Sequence, residues 1–231
     1  MSFLTRYDED TSKPKVTDAL RDLALRVIAP AVILWVAIVA FGLLLKGPLK
    51  MFGPKEEIAN IRLAAGRTPT WDTITMLWSH IGNTEYVIGV CVIAVALLWW
   101  RTKQWWYAVI PGIAISVQAT VFVLATLVAD RSRPAVEHLD PAPPTSSFPS
   151  GHMGAATALY VTFALMAQRI DNKALRWVVT VLCVAAPLLV GYARLYRGMH
   201  HISDVTVGMI NGIVSALLAW HYLRRRDRRD S

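Results

Sequence analysis

Three short clusters in this chain carry residue types that handle phosphate esters: Arg133-Pro134, then Pro149-Ser150-Gly151-His152, then Arg194 followed by His200 and Asp204. Phosphoryl transfer asks for positioned positive charge, hydrogen-bond donors around the equatorial oxygens, an in-line nucleophile and an acid for the leaving group. Arg133 and Arg194 read as guanidinium clamps on those oxygens. Ser150-Gly151-His152 falls where a Pro-rich loop passes into an apolar segment, so free backbone N–H groups and the helix dipole are expected to face a bound anion. Gly151 would let that anion approach closely. Taken alone, Ser150 reads first as a plain helix cap. His200 and Asp204 are four apart and on a helix share one face, so the carboxylate can bond one imidazole nitrogen and leave the other free to attack phosphorus. On the same helix His201 would point about a hundred degrees away and receives no chemistry. A metal held by His152, His200, His201 and Asp204 is a second reading, weakened because no further carboxylate is nearby.

The elements that must position these residues are apolar. Of the 231 residues, 55% are hydrophobic and nine are Trp, and the mean hydropathy is +0.41, which excludes an ordinary soluble domain of this length. Uncharged apolar runs fall at 27–45, 86–100, 104–129, 153–168, 177–193 and 205–220, each near the length of a membrane-crossing helix. The fold expected is all-α, a polytopic membrane protein with six transmembrane helices. Residues 70–81 place Trp71, Ile74, Leu77, Trp78 and Ile81 at amphipathic spacing, which predicts an interfacial helix before the second span. Gly47-Pro48 and Gly53-Pro54 mark 46–68 as a turn-rich connection, and the prolines of 134–149 exclude regular structure there. The domain division expected is an N-terminal arm over 1–22, a six-span unit over 23–223 and a basic tail over 224–231.

An even number of spans puts both termini on one side. Fifteen of the 24 Lys and Arg fall on that side and nine on the other, which predicts cytoplasmic termini and clusters facing away from the cytoplasm. The basic tail after the last run reads as a topology anchor with affinity for anionic headgroups, not as a nucleic-acid site. Trp99, Trp100, Trp105 and Trp106 bracket one cytoplasmic turn and are expected to be interfacial anchors. Cys91 and Cys183 lie inside apolar runs, away from any metal-ligand spacing, and are expected to be buried free thiols. The first run follows some twenty polar residues without a small-residue cleavage pattern, so it is expected to be retained as a span.

The order and spacing of the three clusters resemble the phosphate site of the type 2 phosphatidic acid phosphatase superfamily. The resemblance implies that His200 becomes a phosphohistidine, that Asp204 fixes its tautomer, and that His152 protonates the leaving oxygen and then activates water. It implies work without metal or cofactor, on a lipid phosphate at a cell membrane. Polyprenyl diphosphate ranks first as substrate, and phosphatidic acid or phosphatidylglycerophosphate second. A lipid phosphotransferase using the same phosphohistidine, or an inactive lipid-binding relative, is the alternative. Two positions depart from the usual pattern. Thr126 stands where the superfamily usually has a lysine, and Ala193 where it usually has a serine. Arg131 is expected to supply the missing phosphate-binding charge.

Overall fold

The computed structural model describes residues 13–222 except 143. Among them the regular structure is helical, with no strand. The first helix, α1, is continuous over Val16–Lys46. It carries a π turn over Ala24–Ile28, just ahead of Pro30, whose missing N–H interrupts the normal ladder. Residues 16–22, expected within the N-terminal arm, are therefore helical. They are recruited by packing: Ala19 and Val27 are buried in a cluster with Trp106, Ile110 and Trp220. Residues 1–12 of that arm and the tail over 224–231 lie outside the described residues.

Two helices follow in the segment expected to hold a connection and one amphipathic helix. The helix α2 covers Gly53–Ala65 and was not expected. Its Gly-Pro pair signals a helix start, because Pro54 sits in the first turn where no N–H is needed. The helix α3 covers Pro69–Ile81, capped by Thr68, whose Oγ1 accepts from the Trp71 amide at 3.3 Å. Trp71 and Trp78 of α3 pack edge-on against Tyr192, with ring centroids 6.2 Å away in each case.

The remaining helices are α4 (Thr84–Thr102), α5 (Trp105–Ala129), α6 (Gly151–Ala167), α7 (Lys173–Tyr196) and α8 (Ile202–His221). In α5 one residue, Val109, leaves the helix just before Pro111. Helices α1, α4, α5, α7 and α8 are long and apolar enough to cross a membrane. With 17 residues, α6 is shorter and lies at the centre, packed on α4, α5, α7 and α8. Large apolar side chains face outward, with Ile33 70% exposed, Leu127 75% and Trp177 68%. A bundle with such a surface requires lipid around it, and the chain is a multi-pass membrane protein. Trp99 and Trp100 are exposed as anchors should be, but Trp106 is 5% exposed and belongs to the core. Cys91 and Cys183 are free and buried.

The C-terminal ends of α5 and α7 and the N-terminal ends of α6 and α8 meet at one end of the bundle. The loop over 130–150 and the short α7–α8 connector lie at that end, and Arg133 and His200 fall on them.

Candidate active site

A cavity of about 530 Å³ at this end is lined by Ser79, Arg133, Asp140, His152, Arg194 and His200, among others. All three sequence clusters reach it. Arg133 leaves the loop after α5, His152 is in the first turn of α6, Arg194 is in the last turn of α7, and His200 sits in the α7–α8 connector. Ser150 precedes α6 with its backbone in an extended conformation but makes no side-chain cap. Its hydroxyl is buried without a partner, as are Arg133 Nε and Arg194 Nε. Buried donors of this kind are costly unless a ligand completes them. Gly151 lines the cavity too, but the Cβ it lacks would sit 2.8 Å from the Phe122 ring, so close packing on α5 already requires glycine there.

His200 is 4% exposed. Its Nδ1 donates to the Ser147 carbonyl at 2.8 Å, which leaves the lone pair on Nε2. Burial lowers its pKa well below the ordinary 6.5, and the charges of Arg194 and Arg133 lower it further, so the ring is neutral. A neutral imidazole with Nε2 free is the nucleophilic form. Arg133 braces the same connector by donating from Nη1 to the Met199 carbonyl at 2.8 Å, and burial depresses its own pKa.

The pairing expected for Asp204 is corrected. Helix α8 begins at Ile202, so His200 lies outside it and the four-residue spacing does not stack the two side chains. His200 Nδ1 is 3.9 Å from Asp204 Oδ2, beyond hydrogen-bonding distance. Asp204 instead caps the helix: Oδ2 accepts from the His201 amide at 2.8 Å and faces His201 Nδ1 at 3.2 Å. The Ser147 carbonyl, not the carboxylate, holds the tautomer. His201 is turned toward Asp204 and Glu57.

Arg131 is corrected as well. Its guanidinium meets Glu56 Oε2, Asp204 Oδ1 and Ser203 Oγ, each at 2.6 Å, and it does not line the cavity. Two carboxylates compete for it more strongly than a transient anion could. Burial raises Glu56 and the Arg131 bond lowers it, with a net fall in its pKa. The unexpected helix α2 therefore acts as a strut, its Glu56 also accepting from the Ser203 amide at 2.7 Å.

Three site residues were not anticipated. Ser79 and Asp140 both accept from Arg194 Nη1, at 2.8 and 2.7 Å. Arg197 grips Asp140 Oδ1 from Nε at 2.9 Å. Burial raises the Asp140 pKa and Arg197 and Arg194 lower it, with a net fall. A sequence signal existed for Arg197, a cation nearly one helical turn after Arg194. None existed for Asp140, one acid within a proline-rich loop. Among the described residues no group of three or more His, Cys, Asp or Glu could hold a metal ion.

A family profile described as the PAP2 superfamily matches residues 105–228. An undecaprenyl-diphosphatase of Sulfolobus acidocaldarius is 26% identical over 186 residues, which cover 77% of this chain and 85% of that protein. The fold is similar to the crystal structure of a transmembrane PAP2-type phosphatidylglycerolphosphate phosphatase from Bacillus subtilis, with TM-score 0.71 at 21% identity, over 80% of this chain and 93% of that one. It is also similar to Aquifex aeolicus LpxE, with TM-score 0.56 at 20% identity, over 69% of this chain and 91% of that one.

Proposed function

The chain belongs to the PAP2 superfamily, and from that premise we propose that it is a lipid phosphate phosphatase working through His200. The observation that carries the proposal is one cavity lined by a neutral, buried imidazole and by two arginines, Arg133 and Arg194, each with a buried Nε that has no partner. Such guanidinium donors are what the equatorial oxygens of a phosphate need.

His200 Nε2 attacks phosphorus in line, a P–N bond forms as the P–O bond to the lipid breaks, and His152 gives the departing oxygen its proton. His152, now neutral, takes a proton from water, which attacks phosphorus and releases inorganic phosphate and free His200. The ester is a polyprenyl diphosphate first and a phospholipid phosphate second, consistent with what the similar Sulfolobus acidocaldarius and Bacillus subtilis proteins are named for. In this reading the six apolar helices span the membrane, α6 included, and the excess of Lys and Arg on the side of the termini supports an extracytoplasmic active site.

The test is phosphate release from a panel of lipid mono- and diphosphates by the purified protein and by His200→Ala. Release by the wild type and none by the variant is the expected result, and equal release by both would remove His200 from the reaction. In His152→Ala, monoesters should suffer more than diphosphates, because a lipid monophosphate leaves with less proton assistance than an alkoxide.

A further inference from the structure

We propose that Asp140 and Ser79 are positioning residues that lock the Arg194 guanidinium with its Nε side turned to the substrate phosphate. The inference rests on the phosphate site just proposed and deepens it. A guanidinium is planar and its five N–H groups point in fixed directions. Ser79 Oγ at 2.8 Å and Asp140 Oδ2 at 2.7 Å both take Nη1 of Arg194. With that corner held from two sides, the plane and heading of the whole group are set. The Nε corner is the one left buried and unpartnered, and Arg194 lines the cavity that His200 also lines.

Asp140 itself cannot turn away. Arg197 holds Oδ1 from Nε at 2.9 Å and from Nη2 at 2.7 Å. It also fixes the preceding residue, since Nη2 donates to the Leu139 carbonyl at 2.9 Å and the Leu139 amide donates to the Arg197 carbonyl at 3.1 Å. Nη1 of Arg197 reaches the Asp72 carbonyl at 2.9 Å. A rigid line therefore runs from α3 through Arg197 and Asp140 to Arg194. A carboxylate beside an anion site could instead compete with the anion for its arginine. The geometry opposes that role, because Asp140 occupies Nη1 and leaves Nε open.

The experiment is a double-mutant cycle on orthovanadate binding, measured calorimetrically on the full-length protein in detergent. Asp140→Asn should weaken binding about tenfold in the native background and cause little further loss in Arg194→Lys, because an ammonium has no plane to orient. Ser79→Ala should behave the same way with a smaller loss, and it decides the matter if Asp140→Asn does not fold. Equal losses in both backgrounds would overturn the proposal, leaving Asp140 as a loop fastener only. Tighter vanadate binding in Asp140→Asn would overturn it in favour of competition, and so would a wild type that binds no vanadate. The phosphatase reading fails separately if vanadate binds with this coupling and no lipid releases phosphate.

Discussion

At the scale of single residues, the state of His200 makes a prediction about acid. Burial first, then the Arg194 and Arg133 charges, hold its folded pKa well below 6.5. The unfolded chain takes up a proton near 6.5 while the folded chain does not. Stability is therefore lost as the pH falls below that value, by up to about 1.4 kcal/mol per unit. The wild type should lose thermal stability between about pH 7 and about pH 5, and His200→Ala should lose measurably less over the same window. Arg131 makes the opposite kind of prediction. Its side chain is 13% exposed and pairs with Glu56 and with Asp204, itself 0% exposed, so Arg131→Ala strands two carboxylates and should cost about 3 kcal/mol of stability. Vanadate affinity of the folded fraction should be unchanged. That outcome would separate Arg131 from the anion site, where the family resemblance had placed it as a substitute cation. Arg133, His152, Arg194 and His200 were legible as a set because each belongs to a short cluster. Which carboxylate serves which cation was not legible, because Glu56, Asp140 and Asp204 reach their partners across 75, 54 and 73 residues of chain.

At the scale of elements, the α7–α8 connector is the most constrained piece of the site. Gly198 adopts φ +72°, and a Cβ there would sit 2.8 Å from the Glu137 carbonyl oxygen. Gly198→Ala should therefore cost at least about 1 kcal/mol of stability. It should also lower turnover, because His200 lies two residues on; measuring both on one preparation checks the prediction. The long helices were legible from apolar runs because each buries against its neighbours or faces lipid along its whole length. Helix α2 was not: its 13 residues have no apolar run, and its contribution is ionic, through Glu56 and Glu57. The start of α8 was placed too early by sequence. The cause is the polar connector His200-His201, where the capping carboxylate of Asp204 and the proposed nucleophile share a few residues. A two-residue error in that boundary is what turned a helix cap into an expected catalytic pair.

At the scale of the whole molecule, the proposed orientation is open to labelling. In a variant lacking Cys91 and Cys183, a cysteine at Ala135 should react with a membrane-impermeant thiol reagent in intact cells, and one at Asp171 should not. Both positions are exposed. Asp171 is preferred to its neighbour Asn172, whose Oδ1 caps α7 through the Leu175 amide at 3.0 Å. The reverse pattern would place the cavity in the cytoplasm. Membrane character was readable from composition because the surface must match its solvent, whereas the assembly of the cavity depends on which helix ends converge. The turn over 168–172 lies at the end of the bundle away from the cavity and divides the site's residues. Arg133, Asp140 and His152 precede it, while Arg194, Arg197 and His200 follow it. A chain cut there yields two polypeptides, each without half of the chemistry, that still share the α6–α7 surface. Expressed from separate messages in one membrane, the halves should regain phosphate release only by complementation.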